Sequence, residues 1–418
     1  MMAAKKPRPG FKIVSTKYRG DYEIPESWDF PKLGKNLKLA YGKGLIEDNR
    51  SNEGFPVYGS GGIIGKHSEY LCKGSGIIVS RKGSLGNTYY EKNNFWPIDT
   101  VYYITKKETK NNLEFTYYLL QFLKLENYAI VTAQPGISRD EIYTILVRLP
   151  PIPQQEKIGE ILENIDVYLN QLEKSIQHYR LLKQGLMQKL LIRGINHFDF
   201  KTVKWWFGKT LEIPQDWSYS ELENFVGLPA GDYFPLDDFE DNGIPVLKID
   251  NIMYGKTDWE NCTYLSEKYS KDGNFIFLQK DDIVLALNRP ITNNKIKVAK
   301  LTNEDVPSIL YQRVGKFEFL DNTKLNREFF YHFLNGFFFK QLITRIQIGS
   351  DQPYIKTTEL LKQKIPIPKK IIEQEKIAEI LTNMDNQIIN LEFKKNRFKE
   401  IKKSLMQKLL TGEIRVKV

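Results

Sequence analysis

The sequence contains one long segment twice. Gln155-Glu156-Lys157-Ile158 returns as Gln374-Glu375-Lys376-Ile377, 219 positions later. At the same offset, Leu186 to Leu191 (LMQKLL) returns as Leu405 to Leu410. One offset that holds over about 35 residues without a gap indicates a duplicated element of fixed length. The chain is therefore expected to fold as two related halves.

A second repeat lies upstream of the first. Glu23 to Trp28 (EIPESW) matches Glu212 to Trp217 (EIPQDW), 189 positions later. Between these anchors the halves differ, and Pro151-Ile152-Pro153 and Pro366-Ile367-Pro368 mark their ends. The predicted plan is a variable domain and a duplicated element, each occurring twice. Trp28 and Trp217 are expected to be core anchors.

The duplicated element has the pattern of a long helix. From Ile158 to Leu190 the apolar residues alternate in steps of four and three, which is typical of a coiled-coil seam. Gly194 and Gly412 follow the last turns, where a terminating glycine is expected. About 36 residues at 1.5 Å each make a rod of about 54 Å. A helix packed on its own domain is the alternative, but two matching stripes favour pairing between the two copies.

The variable domains have short β-rich runs bounded by turn-forming residues, such as Gly76 to Val79 and Asp282 to Leu285. Helices are predicted near Leu113 to Leu125 and Glu328 to Ile343. The predicted fold class is α/β (mixed α+β), with two globular domains separated by a pair of long coiled-coil helices. The predicted segments are a flexible extension at 1–22, domain 1 at 23–153, helix 1 and a linker at 154–200, domain 2 at 201–370, and helix 2 at 371–418.

Composition and motifs exclude several functions. The two cysteines and four histidines have no metal-ligand spacing, so neither a metal nor a disulfide framework is predicted. Gly59 to Lys66 resembles a phosphate-binding loop but has Ser60 at the first glycine position. No catalytic residue is predicted. No apolar run is long enough for a membrane span, and Met1 to Gly10 lacks the apolar core of a secretory signal, so the cytoplasm is the expected location.

The net charge of +10 is compatible with a polyanionic partner. Cations and amides follow apolar strands in both halves, at Ser80-Arg81-Lys82-Gly83-Ser84 and at Asn288-Arg289-Pro290. Arginine can chelate a guanine edge, asparagine an adenine edge, and lysine can hold phosphate. A solvated basic turn is the alternative for each loop. The candidate DNA-binding residues are Ser80, Arg81, Lys82, Ser84, Lys66, Arg139, Asn288, Arg289, Asn293, Lys295, Arg313 and Lys356.

The order of these motifs resembles the specificity subunits of Type I restriction-modification enzymes. Each half opens with Ile-Pro-x-x-Trp and closes with Pro-Ile-Pro before Gln-Glu-Lys-Ile. Tyr58 to Gly62, Asp99 to Tyr102 and Gln134 to Ser138 are further similar pieces, and the resemblance extends from Glu23 to Val418. Lys369 to Ile372 have no counterpart in the first half, which leaves the symmetry of the second domain–helix junction open.

The resemblance implies two target recognition domains, each reading one half of a split double-stranded DNA sequence. It implies that the two long helices hold these domains apart as an antiparallel pair, in pseudo-two-fold arrangement. It also implies that the paired helices dock two methyltransferase (modification) subunits, with restriction subunits completing the complex. S-adenosylmethionine, ATP and Mg would then act on partner subunits only, and this chain would be a non-catalytic subunit. Ile161, Met187, Ile380 and Met406 lie outside the seam and are the predicted docking residues. The alternative function is a coiled-coil interaction scaffold whose β-rich domains bind protein or glycan.

Overall fold

The computed structural model describes residues 6–16, 20–130, 136–206, 208–270 and 275–418. The chain forms two compact units. Unit 1 comprises residues 1–174 and 392–418, and unit 2 comprises residues 175–391. Both unit boundaries fall within long helices, so each unit contains part of both helices. Gln134 and Pro135 of the family-like motif, and Met1 to Lys5 and residues 17–19 of the predicted extension, lie outside the described residues.

The described residues form seven α-helices, two of them very long. The third and seventh have 42 and 40 residues and carry the duplicated sequence. The helices are α1 (Leu113–Leu123), α2 (Arg139–Thr144), α3 (Ile152–Arg193), α4 (Arg327–Leu334), α5 (Phe337–Ile346), α6 (Thr357–Leu361) and α7 (Ile371–Leu410). Helix α3 begins before Ile158, because the proline at position 153 is tolerated in the first turn, where the backbone N–H has no helical partner. Helix α7 likewise begins before Ile377, the repeat counterpart of Ile158. The two glycines that follow them, Gly194 and Gly412, have positive φ angles of 64° and 76°.

The long helices pair in antiparallel fashion within each unit. In unit 1, Asp166 of α3 pairs with Lys402 of α7 at 2.7 Å, and the later Glu173 pairs with the earlier Lys395. In unit 2, Lys183 of α3 lies 2.6 Å from Asp385 of α7. Asp385 and Lys402 are the repeat counterparts of Asp166 and Lys183, 219 positions later. The same ion pair is therefore made twice, once in each unit.

The junctions before the two long helices are more alike than the sequence suggested. Ile152 and Ile371, the first residues of α3 and α7, are themselves 219 positions apart. The two Pro-Ile-Pro motifs occupy different elements: the first contains the start of α3, whereas the second closes the strand Lys364–Ile367. The four residues Lys369 to Ile372 therefore do not shift the second helix relative to the repeat.

A buried glutamine fastens each long helix to its globular domain. In unit 1, Gln155 Oε1 accepts the backbone N–H of Asn112 at 3.0 Å, and its Nε2 donates to the carbonyl of Pro150. In unit 2, Gln374 makes the same two bonds, to the N–H of Asn326 at 2.7 Å and the carbonyl of Pro368. The two asparagines are the N-caps of α1 and α4, so these two helices correspond.

The two tryptophans of the upstream repeat have no exposed surface and lie in the cores of their units. Trp28 Nε1 donates to Gln154 Oε1 at 2.8 Å, and Trp217 Nε1 donates to Glu373 Oε2 at 3.2 Å. Gln154 and Glu373 are repeat counterparts in the first turns of α3 and α7. The prediction that both tryptophans are core anchors is confirmed.

The globular part of unit 1 is built on antiparallel strands. Gly76–Ser80 is buried along its whole length and lies between Val101–Thr105 and Thr88–Glu91. Ala40–Tyr41 extends this sheet beyond Val101–Thr105. The remaining strands are Phe11–Thr16, Gly20–Pro25, Phe55–Gly59, Gly62–His67, Trp96–Pro97, Ala129–Ile130 and Gly136–Ile137. Only the pairing of Phe55–Gly59 with Trp96–Pro97 is parallel among the strand pairs described for this unit.

Part of the predicted N-terminal extension is structured. Phe11–Thr16 pairs with Gly20–Pro25 as an antiparallel hairpin. Phe200–Trp206 and Lys209–Pro214 form the corresponding hairpin in unit 2. The starts of the two hairpins, Phe-Lys-Ile-Val and Phe-Lys-Thr-Val, are 189 positions apart, which is the offset of the upstream repeat. The expectation of a flexible segment overlooked this extension of the repeat.

The globular part of unit 2 has a more divided sheet. Ile283–Ala286 is buried between the antiparallel strands Val298–Lys300 and Val314–Lys316. A five-stranded sheet has the order Phe239–Glu240, Tyr264–Leu265, Ile244–Leu247, Ser308–Leu310 and Phe277–Leu278, with one parallel pair at Ile244–Leu247 and Ser308–Leu310. The other strands beyond the hairpin are Ser218–Glu221, Val226–Gly227, Ile291–Thr292, Lys295–Ile296, Glu318–Phe319 and Lys364–Ile367.

Candidate nucleic-acid interface

Two predicted arginines of unit 1 meet at one tyrosine. The guanidinium carbons of Arg81 and Arg139 each lie 5.0 Å from the ring centroid of Tyr41, whose side chain is 48% exposed. Arg81 follows the buried strand Gly76–Ser80, and its Nη1 donates to the carbonyl of Asp99 at 3.0 Å. Cation–π contact with the ring holds both guanidinium groups at the surface. The arrangement offers two adjacent cations and an aromatic face to a polyanion.

The other candidates in unit 1 differ in exposure. Ser80 is fully buried, and its hydroxyl donates to the carbonyl of Ser60 at 2.8 Å. Ser80 thus holds the turn beneath Arg81 and does not present a hydroxyl to solvent. Lys82 and Ser84 are exposed on the turn that follows. Lys66 is exposed on the strand Gly62–His67.

Three separate segments of unit 2 converge through backbone hydrogen bonds. The N–H of Arg289 donates to the carbonyl of Pro353 at 2.7 Å, and the N–H of Leu287 donates to the carbonyl of Arg313 at 2.8 Å. The N–H of Ile355 returns to the carbonyl of Leu287. Arg289 and Arg313 are exposed and have positive φ angles of 46° and 67°. The fold therefore gathers two turn arginines that are 24 positions apart in sequence.

A tight hairpin carries the next pair of candidates. Ile291–Thr292 pairs with Lys295–Ile296, and the Asn293-Asn294 turn has positive φ angles, a conformation that asparagine tolerates better than most residues. Asn293 Nδ2 donates to the Tyr254 hydroxyl at 3.0 Å, and Lys295 Nζ lies 5.3 Å from the centroid of that ring. Tyr254 therefore contacts the side chains of both candidates, Asn293 and Lys295.

Asn288 and Lys356 flank the converging segments of unit 2. Asn288 is half-buried and forms a β-bridge with Tyr354. Lys356 is exposed at the N-cap of the short helix α6. Lys297 lies beside these candidates but was not predicted as a DNA-binding residue. Burial lowers the pKa of Lys297, and the nearby Arg289 acts in the same direction. Its position two residues after Lys295 on the same hairpin was the available signal.

Tyr41 was also missed by the sequence analysis. It lies on a two-residue strand, Ala40–Tyr41, that is too short to produce an alternating pattern. Its partner strand, Val101–Thr105, begins within the family-like motif Asp99 to Tyr102. The pairing that brings Tyr41 to Arg81 joins positions about 60 residues apart, and sequence periodicity does not report such contacts.

The four predicted docking residues are half-buried. Ile161 and Met406 pack against the core of unit 1, and Met187 and Ile380 pack against the core of unit 2. More exposed apolar residues occur elsewhere on the long helices. Leu182 is 41% exposed in unit 2, and its repeat counterpart Ile401 is 37% exposed in unit 1. The shared offset of 219 positions was the signal that could have identified this pair.

One group of side chains in the described part of the chain has the composition of a metal site. His197 Nε2 lies 2.7 Å from Glu373 Oε1, and His197 Nδ1 lies 3.5 Å from Asp216 Oδ1. Glu373 also accepts hydrogen bonds from the N–H of Ile195 and from Trp217 Nε1. His197 and Glu373 therefore belong to a hydrogen-bonded network, which connects the linker after α3 to the first turn of α7.

Comparison with known proteins identifies the family. Residues 25–178 and 214–403 match the family described as Type I restriction modification DNA specificity domain. The chain is 34% identical to the Type I restriction enzyme MjaVIII specificity subunit of Methanocaldococcus jannaschii, and the alignment covers 97% of each chain. It is 30% identical to the EcoAI specificity subunit of Escherichia coli over 43% of this chain and 30% of that protein. The chain belongs to the family of Type I restriction-modification specificity subunits.

Solved structures have the same fold. The S subunit of a Type I restriction-modification system from M. genitalium matches with a TM-score of 0.60 at 16% identity, covering 95% of this chain and 98% of that one. A chain from a study of complex assembly in the Type I system matches with a TM-score of 0.55 at 14% identity, covering 94% and 100%. The predicted mixed α/β class with two domains and two long paired helices is confirmed. The family also agrees with a non-catalytic subunit, and no helix among the described residues could cross a membrane.

Proposed function

We propose that this chain reads a bipartite DNA sequence, with one half-site contacted by unit 1 and the other by unit 2. The observation that carries the proposal is that each unit places an arginine on the turn that follows a fully buried strand, half-buried Arg81 in unit 1 and exposed Arg289 in unit 2. Arg81 follows Gly76–Ser80, and Arg289 follows Ile283–Ala286. A buried strand fixes the position of the turn, and fixed cations can distinguish between base edges as well as attract phosphate.

The side chains at each site suit different parts of the duplex. Arginine makes paired hydrogen bonds to guanine in the major groove, and asparagine does so to adenine. Arg81 and Arg139 in unit 1, and Arg289, Arg313 and Asn293 in unit 2, are therefore the proposed base-reading residues. Lys66, Lys82, Lys295 and Lys356 are exposed and are proposed to contact the phosphate backbone.

The proposed partners are two modification subunits, together with restriction subunits. A chain that makes the same helix pair twice offers two equivalent docking surfaces, and equivalent surfaces accept two copies of one partner. S-adenosylmethionine, ATP and Mg are proposed to bind those partners. The side chains that would carry docking are Leu182 and Ile401, supported by the half-buried Met187, Met406, Ile161 and Ile380.

Sequencing of methylated bases tests the reading function. A host that expresses this chain with the modification subunit of its own system should gain methyladenine in one two-part motif with an unread spacer. Omission of this chain should abolish that methylation, while the modification subunit is still present. Methylation at a continuous motif, or methylation that is independent of this chain, would contradict the proposal and would favour a protein-binding scaffold.

A further inference from the structure

A histidine, an aspartate and a glutamate meet in unit 2 near the end of the long helix α3. His197 belongs to the linker after α3, Asp216 to the turn after the second hairpin strand, and Glu373 to the first turn of α7. One potential ligand atom from each side chain lies within 4.8 Å of the other two. The three residues come from distant parts of the chain, so the spacing of histidines in the sequence does not reveal them.

Unit 1 makes the same junction with other residue types. Its counterparts, taken at the two repeat offsets and from the glycines after the long helices, are Gln154 for Glu373, Ser27 for Asp216 and Arg415 for His197. Trp28 donates to the neutral amide of Gln154 at 2.8 Å, as Trp217 donates to Glu373 at 3.2 Å. The junction can therefore be held without an imidazole between two carboxylates. The residue types of unit 2 call for a separate explanation.

The carboxylate of Glu373 sets the protonation of the imidazole. Glu373 Oε2 accepts from Trp217 Nε1, and Oε1 accepts from the N–H of Ile195 at 3.2 Å. Oε1 also lies 2.7 Å from His197 Nε2. Because an ionised carboxylate only accepts hydrogen bonds, Nε2 carries the proton in this contact, and a neutral imidazole then has its lone pair on Nδ1. A carboxylate behind the imidazole is the usual arrangement by which proteins orient a histidine that binds a metal ion.

The second carboxylate lies at the distance expected for another ligand of the same ion. His197 Nδ1 is 3.5 Å from Asp216 Oδ1, which is longer than a typical N–H···O hydrogen bond. A nitrogen and an oxygen that are each about 2.0–2.2 Å from one tetrahedral zinc ion are about 3.4 Å apart. Both residues line a pocket of about 360 Å³, together with Asp199 and Gln215. The pocket leaves room for water on the open side of an ion.

We propose that His197 Nδ1 and Asp216 bind one Zn²⁺ ion, with Glu373 as the positioning residue behind the imidazole. A nitrogen ligand beside an oxygen ligand suits Zn²⁺, whereas Mg²⁺ and Ca²⁺ prefer oxygen ligands. Water from the pocket completes the coordination. The ion joins the linker after α3 to the turn after the hairpin in unit 2, and the counterpart residues of unit 1 cannot form this site. The proposal does not depend on the DNA-reading function.

Calorimetric titration with Zn²⁺ tests the site in the full chain, purified without a polyhistidine tag. Glu373→Gln should weaken binding by about 10–100-fold, because it removes the carboxylate that orients the imidazole, and Asp216→Ser and His197→Gln should weaken it further. Glu373→Gln and Asp216→Ser introduce the residues of unit 1, and His197→Gln keeps an N–H donor for Glu373. The matched control is His178→Gln, an exposed histidine of α3 in the same unit, which should leave the affinity unchanged.

Titration with Co²⁺ separates coordination from loose attraction to acidic groups. Visible absorption of the bound cobalt should appear in the unsubstituted protein and in His178→Gln, and should be lost in His197→Gln. Equal Zn²⁺ affinity in the unsubstituted protein and in both ligand variants would overturn the proposal, as would the absence of binding by the unsubstituted protein.

The methylated motif provides an independent readout. It should be the same in the unsubstituted protein and in Asp216→Ser, because the proposed ion lies outside the proposed base-reading residues. Absence of any motif in the unsubstituted protein would refute the reading function, whereas the zinc proposal is decided by the titrations alone.

Discussion

Arg81 and Arg289 occupy comparable positions after the central strands of their domains, so their loss should have separable effects. Arg81→Ala is expected to relax the half of the motif that unit 1 reads, and Arg289→Ala the other half. Each should cost about 1–3 kcal/mol of binding to the full motif. Methylation sequencing identifies the relaxed half, and duplex titration measures the loss.

Lys82→Ala is the comparison for this experiment, because Lys82 is exposed beside Arg81 and is assigned to phosphate. It should weaken binding to all sequences alike and leave the motif unchanged. If both arginine variants retain the complete motif and the full affinity, the assignment of base-reading residues is wrong.

His332 makes a pH-dependent contribution to stability. Its folded-state pKa is about 3, whereas the unfolded chain titrates near the usual value of about 6.5. The stabilising contribution of neutral His332 is therefore fully present above about pH 6.5. It declines as the pH falls towards 3, by about 1.4 kcal/mol per pH unit. We expect His332→Asn to reduce the loss of unfolding free energy between about pH 7.5 and pH 5, measured by urea titration.

The change between the two pH values is compared within each variant, so a constant effect of the substitution on packing cancels. His178→Asn is the matched control, because His178 is exposed on α3 in the same unit. An equal acid sensitivity of His332→Asn and the unsubstituted protein would show that His332 is not the group responsible.

Among the secondary-structure elements, the first turn of each long helix depends on one buried glutamine. Gln155→Leu keeps the approximate volume but leaves the N–H of Asn112 and the carbonyl of Pro150 without their partner. A buried unpaired group costs about 1–3 kcal/mol. We expect faster hydrogen exchange in peptides that cover the start of α1. Gln171→Leu, at an exposed position of the same helix, should leave that exchange unchanged, and an equal response of both variants would refute the role of Gln155.

The elements differ in how far the sequence predicted them. The two long helices and their pairing follow from a repeat with constant offset, because a periodic stripe reports directly which face is buried. Their antiparallel direction was implied by the resemblance to the family. The buried strand Gly76–Ser80 was also predicted, from its run of β-branched residues between glycines. The convergence of Arg289 with the Arg313 and Pro353 segments was not, because it is set by tertiary hydrogen bonds between turns. Short strands such as Ala40–Tyr41 likewise leave no periodic signal.

For the whole molecule, the repeat predicts the stoichiometry of assembly. Light scattering should give two modification subunits per chain. Leu182→Glu and Ile401→Glu should each reduce this to one, because each introduces a charge at one of two equivalent exposed apolar positions. Leu181→Glu is the control: Leu181 is 69% exposed, and its counterpart at position 400 is already glutamate. A complex that saturates at one subunit in the unsubstituted protein would contradict this prediction.

The division of the chain into units also has a consequence for synthesis. Unit 1 takes its last component from residues 392–418, and Leu409 and Leu410 are buried in its core. The ribosome makes the globular part of unit 1 first, yet the residues that complete it emerge only after all of unit 2 has been made. Unit 2, which is continuous from 175 to 391, is available in full before that point. Unit 1, which is translated first, therefore completes its folding after unit 2. A chain that lacks residues 392–418 would leave the core of unit 1 incomplete and exposed.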